Sequence, residues 1–121
     1  MLLHGDAPLA ARYHAAAGLG RLLVTGEAPP LAASDPSFRL EKASVGAAAD
    51  VVLDLDDGRA WRAAAGPRVW GGARGGRVLL GVEPREGSPP EAAARAVAET
   101  LGAAEALRLL LGFPGRRYAF A

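Results

Sequence analysis

Between Arg59 and Arg77 the chain carries five arginines and no acid, with Trp61 and Trp70 set among them. A guanidinium beside an indole stacks on nucleobases, pairs with phosphate, or anchors a protein partner. Two consecutive runs divide the stretch. Arg59 and Arg62 flank Trp61 in the first, and Arg68, Trp70, Arg74 and Arg77 surround the glycine-rich Gly71–Gly76 segment in the second. Trp61 reads as a core residue, so the candidate binding surface is Arg68, Trp70, Arg74 and Arg77.

Other residue sets fail the spacing that their chemistry requires. Val51-Val52-Leu53-Asp54-Leu55-Asp56-Asp57-Gly58 resembles the first motif of the haloacid-dehalogenase-like phosphatases, an apolar strand ending in Asp-x-Asp. The resemblance implies Asp54 as nucleophile and Asp56 as acid, at the tip of a parallel strand. It covers eight residues; Arg59 stands where that family has threonine, and the later lysine has no counterpart because Lys42 precedes the motif. A hairpin turn accounts for the same residues. An EF-hand loop counted from Asp54 would put Gly58 at position 5 and Ala65 at position 12, where oxygen ligands belong. Gly71–Gly76 lacks the Gly-Lys-Ser/Thr ending of a phosphate loop and leads into a strand, not a helix. His4 and His14 have no carboxylate at ligand spacing. None of Ser34, Ser37, Ser44 and Ser88 sits on a nucleophile elbow. No catalytic, cofactor-binding or metal-binding residue is therefore assigned, and no cofactor is expected.

Composition narrows the class. The 121 residues are half apolar and 22% charged, as in a folded domain. Cysteine is absent, which removes disulfides, thiolate metal sites and cysteine nucleophiles together. Asn, Gln and Ile are also missing, and Lys42 is the one lysine beside thirteen arginines, a pattern of GC-rich bacterial genomes and of hot environments. Net charge is +1 but uneven: residues 1–58 hold four basic and eight acidic side chains, residues 59–121 ten and five. No apolar run reaches membrane-spanning length, and Met1–Asp6 lacks the basic start of a signal peptide, so a cytoplasmic protein is expected.

The elements that must carry these residues follow from local pattern. Pro8 after Asp6 starts a helix with Leu9, Tyr13, Ala16 and Leu23 along one side; Gly18 ends it if Arg21–Thr25 is a strand. Phe38–Val45 and Asp50–Leu55 read as strands. A three-residue Asp56-Asp57-Gly58 turn pairs Leu53 with Trp61 and keeps the apolar faces consistent. Arg68–Trp70 and Arg77–Val82 form further strands around the glycine turn. Ser88-Pro89-Pro90-Glu91 has the form of a capping box, followed by a helix burying Ala94, Val97, Leu101 and Ala104 and interrupted or not at Gly102. Residues 113–121 read as a short C-terminal tail.

The expectation is one α+β domain over 1–121: an antiparallel meander of four to six strands with an N-terminal and a C-terminal helix packed on one face. Its bare sheet face suits a protein-interaction or small-ligand-binding module that self-associates as a homodimer. Single-stranded nucleic-acid binding through the Arg/Trp face is the alternative, disfavoured by a net charge of +1.

Overall fold

The computed structural model describes residues 1–18, 20–26, 36–44, 47–56, 67–82 and 87–120. Their order is β1 (Leu2–His4), α1 (Pro8–Ala17), β2 (Arg21–Val24), β3 (Arg39–Lys42), β4 (Val52–Asp54), β5 (Arg68–Arg74), β6 (Arg77–Gly81), α2 (Ala92–Leu110) and β7 (Tyr118–Phe120). The strands form one seven-stranded sheet in the order β3-β2-β1-β4-β5-β6-β7. The α+β class holds, but the sheet is mixed and has more strands than expected. Five strands, β3-β2-β1-β4-β5, are parallel, and only β6 and β7 run antiparallel to their neighbours.

The antiparallel expectation fails at β4. Leu53 pairs with Leu3 on one side and Val69 on the other, both in parallel ladders. Both edges of β4 are thus taken by parallel partners, β1 and β5, where an antiparallel hairpin arm was expected. Residues 57–66, which include Asp57, Gly58, Arg59, Trp61 and Arg62, lie outside the described residues. Val51 to Leu55 are all buried, as in a strand covered on both faces.

Side-chain alternation assigns the layers. Leu3, Leu22, Val24, Leu53, Val69, Val78 and Leu80 join Ala10 and Ala11 of α1 and Ala98, Ala103 and Ala106 of α2 in one core. Both helices therefore cover the same face, as expected. Leu2, Leu23 and Val52 point the other way and are covered by Ala43, Ala47 and Ala49 of the β3–β4 connection. The chain steps from β1 to β2 over one face and from β3 back to β4 over the other. Opposite steps on opposite faces keep one crossover hand.

Local signals place most termini. Pro8 occupies the first turn of α1, and Gly18 closes it with φ +72°. The buried stripe is Ala10, Ala11, His14 and Ala15, while Leu9 is 39% exposed. Gly75 and Gly76, both at positive φ, make a two-residue turn, so β5 continues through Gly71–Arg74. The Ser88 capping box does not form. Ser88 exchanges two backbone hydrogen bonds with Ala73 (2.8 and 3.1 Å), and α2 starts beyond it with Glu91 at the N-cap. That helix runs unbroken through Gly102, and its deepest residues are Ala98, Glu99, Gly102, Ala103, Glu105 and Ala106. Val97, expected inside, is 39% exposed. The expected tail contains β7, the outermost strand beside β6. Among the described residues no helix is long and apolar enough to cross a membrane.

The helix α2 lies very close to the sheet because small residues face it. A Cβ on Gly102 would stand 2.7 Å from Leu53 Cδ1, and one on Gly71 would stand 2.6 Å from Leu55 Cδ2 and 3.2 Å from Ala98 Cβ. Gly71→Val should therefore lower stability by about 2 kcal/mol by chemical denaturation, although valine is the better strand former. A stabilised variant would show that α2 does not approach β5 this closely.

Candidate functional site at the ends of the parallel strands

Chain order and spatial order part company between β1 and β4: β2 and β3 lie to one side, β4 and β5 to the other. In open sheets of parallel strands, ligands enter the crevice at the carboxyl ends of the strands at such a switch point. Here those ends carry His4 and Gly5 after β1, Thr25 and Gly26 after β2, Lys42 of β3, and Asp54 to Asp56 at the end of β4. The amino ends of α1 and α2 approach the same place.

The groups at this crest bond chiefly to one another. Thr25 Oγ1 accepts from Gly5 N (3.1 Å) and lies 3.0 Å from His4 Nδ1. Lys42 Nζ donates to the Gly26 carbonyl at 2.7 Å. Arg95, from the first turn of α2, donates to the carbonyls of Leu55 (2.8 Å) and Asp6 (2.6 Å), and so bolts the loop after β1 to the end of β4. Gly5, at φ +110°, admits that guanidinium: a Cβ there would stand 2.9 Å from Arg95 Nη2.

The amino end of α1 is where a phosphate or carboxylate ligand would meet free amides and the positive end of the helix dipole. A carboxylate of the chain itself fills that position. Glu99 of α2 is 4% exposed, and its Oε1 accepts from Leu9 N at 2.9 Å and, at longer range, from Ala10 N at 3.5 Å. The anion position at the switch point is thus used to fasten one helix to the other. Sequence reasoning missed Glu99 and Arg95. The available signal was that Glu99 and Glu105 are the sole acids in the alanine-rich α2.

The Asp-x-Asp pair does lie at the tip of a parallel strand, but its first acid is spoken for. Asp54 is 2% exposed; its Oδ1 accepts from Asp56 N (3.1 Å) and its Oδ2 from Arg68 Nη1 (2.8 Å). A carboxylate so enclosed does not present itself to a phosphoryl group. Among the described residues no three His, Asp or Glu side chains group in a way that could hold a metal ion. His14 lies on the buried side of α1, its ring 6.3 Å from that of Phe38.

The candidate surface from the sequence is split by the fold. Arg68 leans over β4 to the buried Asp54, and Trp70, expected to be exposed, is 3% exposed. The cause is the strand alternation of β5, which turns both onto the face away from the helices, beside a strand covered on each side. Arg74 and Arg77 are exposed cross-strand partners at the tip of the β5–β6 hairpin. The structure therefore makes no continuous Arg/Trp face of these four residues.

Two further features lie away from this crest. Glu105, also buried, accepts from Arg116 N and from the Tyr118 hydroxyl, each at 3.1 Å, and so pins β7 to α2. At the opposite, amino-terminal ends of the strands an open hollow of about 490 Å³ lies between Met1, Arg21, Leu23, Ala49, Asp50 and Leu110.

Removing the Glu99 carboxylate strands two helix amides in the core. Glu99→Ala should cost about 3 kcal/mol by denaturation, and Glu99→Gln, which keeps one acceptor oxygen, about half of that. Equal effects would mean that the charge, not the acceptor, matters. Arg68→Ala should cost about 3 kcal/mol by taking the guanidinium away from the buried Asp54 carboxylate, whereas Arg74→Ala and Arg77→Ala should each stay within about 0.5 kcal/mol. No protein-family model, no curated protein and no solved structure matches this chain.

Proposed function

We propose that the chain is a binding module without catalytic chemistry, and that it self-associates through the outer edge of β7, which pairs with no further strand among the described residues. The carrying observation is the contrast between the two sheet edges. At one end, β3 presents Arg39, Glu41 and Lys42, and Arg21 pairs with Glu41 beside it at 2.7 Å. Charge of this kind guards an edge against pairing. At the other end, Tyr118-Ala119-Phe120 carries no charge and no proline, and its two rings stack at 5.8 Å. Glu105 holds β7 in strand conformation, so pairing there needs little ordering of the chain.

A second copy is the occupant best suited to such an edge. Antiparallel pairing of β7 with its equivalent is two-fold symmetric and self-complementary, which closes the assembly as a dimer. Leu111 and Phe113, just before β7 in sequence, are exposed apolar residues. The involvement of Asp54, Glu99 and Arg95 in structural contacts favours binding over catalysis as the module's role.

Nucleic-acid binding retains one supporting observation, the exposed Arg74 and Arg77 at the hairpin tip. Its stacking element is weakened, since the Trp70 ring is enclosed.

Light scattering on the eluting protein should return a dimer that persists in high salt. Ala119→Lys, which sets like charges opposite each other across the two-fold, should give a monomer with unchanged circular dichroism. A monomeric wild type would overturn the proposal. Oligonucleotide binding that falls steeply with salt and weakens in Arg74→Ala or Arg77→Ala would favour the alternative.

A further inference from the structure

A second surface lies at the carboxyl end of α2, and it does not depend on self-association. Leu111-Gly112-Phe113-Pro114-Gly115-Arg116-Arg117 is exposed at every residue. Leu111, at 63% exposure, and Phe113, at 52%, are the most exposed large apolar side chains among the described residues. Placing both in water on one short loop is unfavourable unless something covers them.

The loop is tied down along its backbone. Gly112, at φ +87°, closes α2: its N–H donates to the Leu109 carbonyl (3.0 Å), and the Phe113 N–H donates to the Arg108 carbonyl (2.9 Å). In such a cap the residue after the glycine commonly packs on an apolar side chain of the last turn. Here that position is Arg108, whose guanidinium lies 5.1 Å from the centre of the Phe113 ring. Arg108 Nη2 also donates to the Pro114 carbonyl (3.3 Å), and the Arg116 N–H donates to the buried Glu105 carboxylate (3.1 Å). Gly115 seats against Val82, where a Cβ would stand 2.6 Å from Cγ1. The backbone is thus held while Leu111 and Phe113 are presented outward, and docking there forfeits little chain entropy.

Charge decides the partner. After Glu105 the chain has no acid, only Arg108, Arg116 and Arg117. Arg108 pairs with Glu105 (3.2 Å), and Arg116 is exposed within the loop. Leu110, next to the loop, lines the same hollow as Arg21, and Arg21 is the cross-strand partner of Arg39. This end of the molecule therefore joins an apolar tip to exposed arginines at Arg21, Arg39 and Arg116. Of the acids near them, Glu41 is taken by Arg21, and Asp50 borders the hollow.

We infer that this loop seats the protein on the surface of an anionic lipid bilayer. Leu111 and Phe113 enter the boundary between headgroups and acyl chains, and Arg116 meets the lipid phosphates. Shape favours a bilayer over a protein partner, because a protruding tip needs a fitted pocket in a protein, whereas lipids close around it. The contact is peripheral: no described helix is long and apolar enough to cross a membrane.

Vesicles of phosphatidylcholine and phosphatidylglycerol in equal parts are the probe, with phosphatidylcholine alone as the neutral counterpart. At low salt the full chain should sediment with the anionic vesicles and stay in solution with the neutral ones. Phe113→Ser should weaken that partition about tenfold and Arg116→Ala about fivefold, with circular dichroism unchanged in both. In Phe113→Trp, the added indole emission should move to shorter wavelength on the anionic vesicles. Absence of sedimentation with anionic vesicles, or equal sedimentation with both kinds, would overturn the inference. Binding that Phe113→Ser leaves intact would do the same, since it would be adsorption by charge alone. A dimer that dissociates in the double variant Leu111→Ser, Phe113→Ser would show that a second copy, not lipid, covers the loop.

Discussion

The close approach of α2 to the sheet is the constraint on which the other features rest. Gly102 and Ala98 let the helix axis come down over β4 and β5, where larger residues would hold it off. Three polar ties along its length depend on that depth. Arg95 reaches the ends of β1 and β4, Glu99 reaches the first turn of α1, and Glu105 reaches β7. Each of the two carboxylates is buried, and each is tolerable there because donors converge on it. Raising the helix by the width of a methyl group would lengthen all of these contacts together.

This arrangement also decides what the molecule has available for ligands. A parallel sheet with a switch point normally offers its crevice and a helix amino end to a ligand. Here an arginine crosses the crevice and a glutamate fills the helix end. Accessible features lie elsewhere: the hairpin tip and the outer edge of β7 on the antiparallel side, and the open hollow at the amino-terminal ends of the parallel strands.

Most strands and both helices were legible in the sequence, because apolar alternation, Pro8, Gly18 and the Gly75-Gly76 turn are local signals. The pairing partners were not. Val51 to Leu55 alternates in the same way whether its neighbours run parallel or antiparallel, and Asp56-Asp57-Gly58 is good turn chemistry in its own right. The strands β1 and β7, three residues each, are too short to show a period. In α2 the abundance of alanine removes the contrast between faces, so the buried side was misplaced by about one residue, a rotation of roughly 100°. Arg68 and Trp70 were recognised as unusual, but their surroundings come from β4 and β6, which no local pattern reveals.

The placement of β1 in the middle of the sheet has a consequence for how the chain assembles. Leu2 pairs with Leu23 on one side and with Val52 on the other. The unit β1-α1-β2 closes over short loops, while the second edge of β1 waits for a partner much farther along the chain. Loop-closure entropy makes that step the slower one, and parallel pairing makes it slower still. Until β4 arrives, the half-sheet exposes an apolar edge at Met1-Leu2-Leu3, the kind of edge through which partly folded chains aggregate. The rate at which this protein escapes that state is set at the centre of its sheet, by two strands of three residues each.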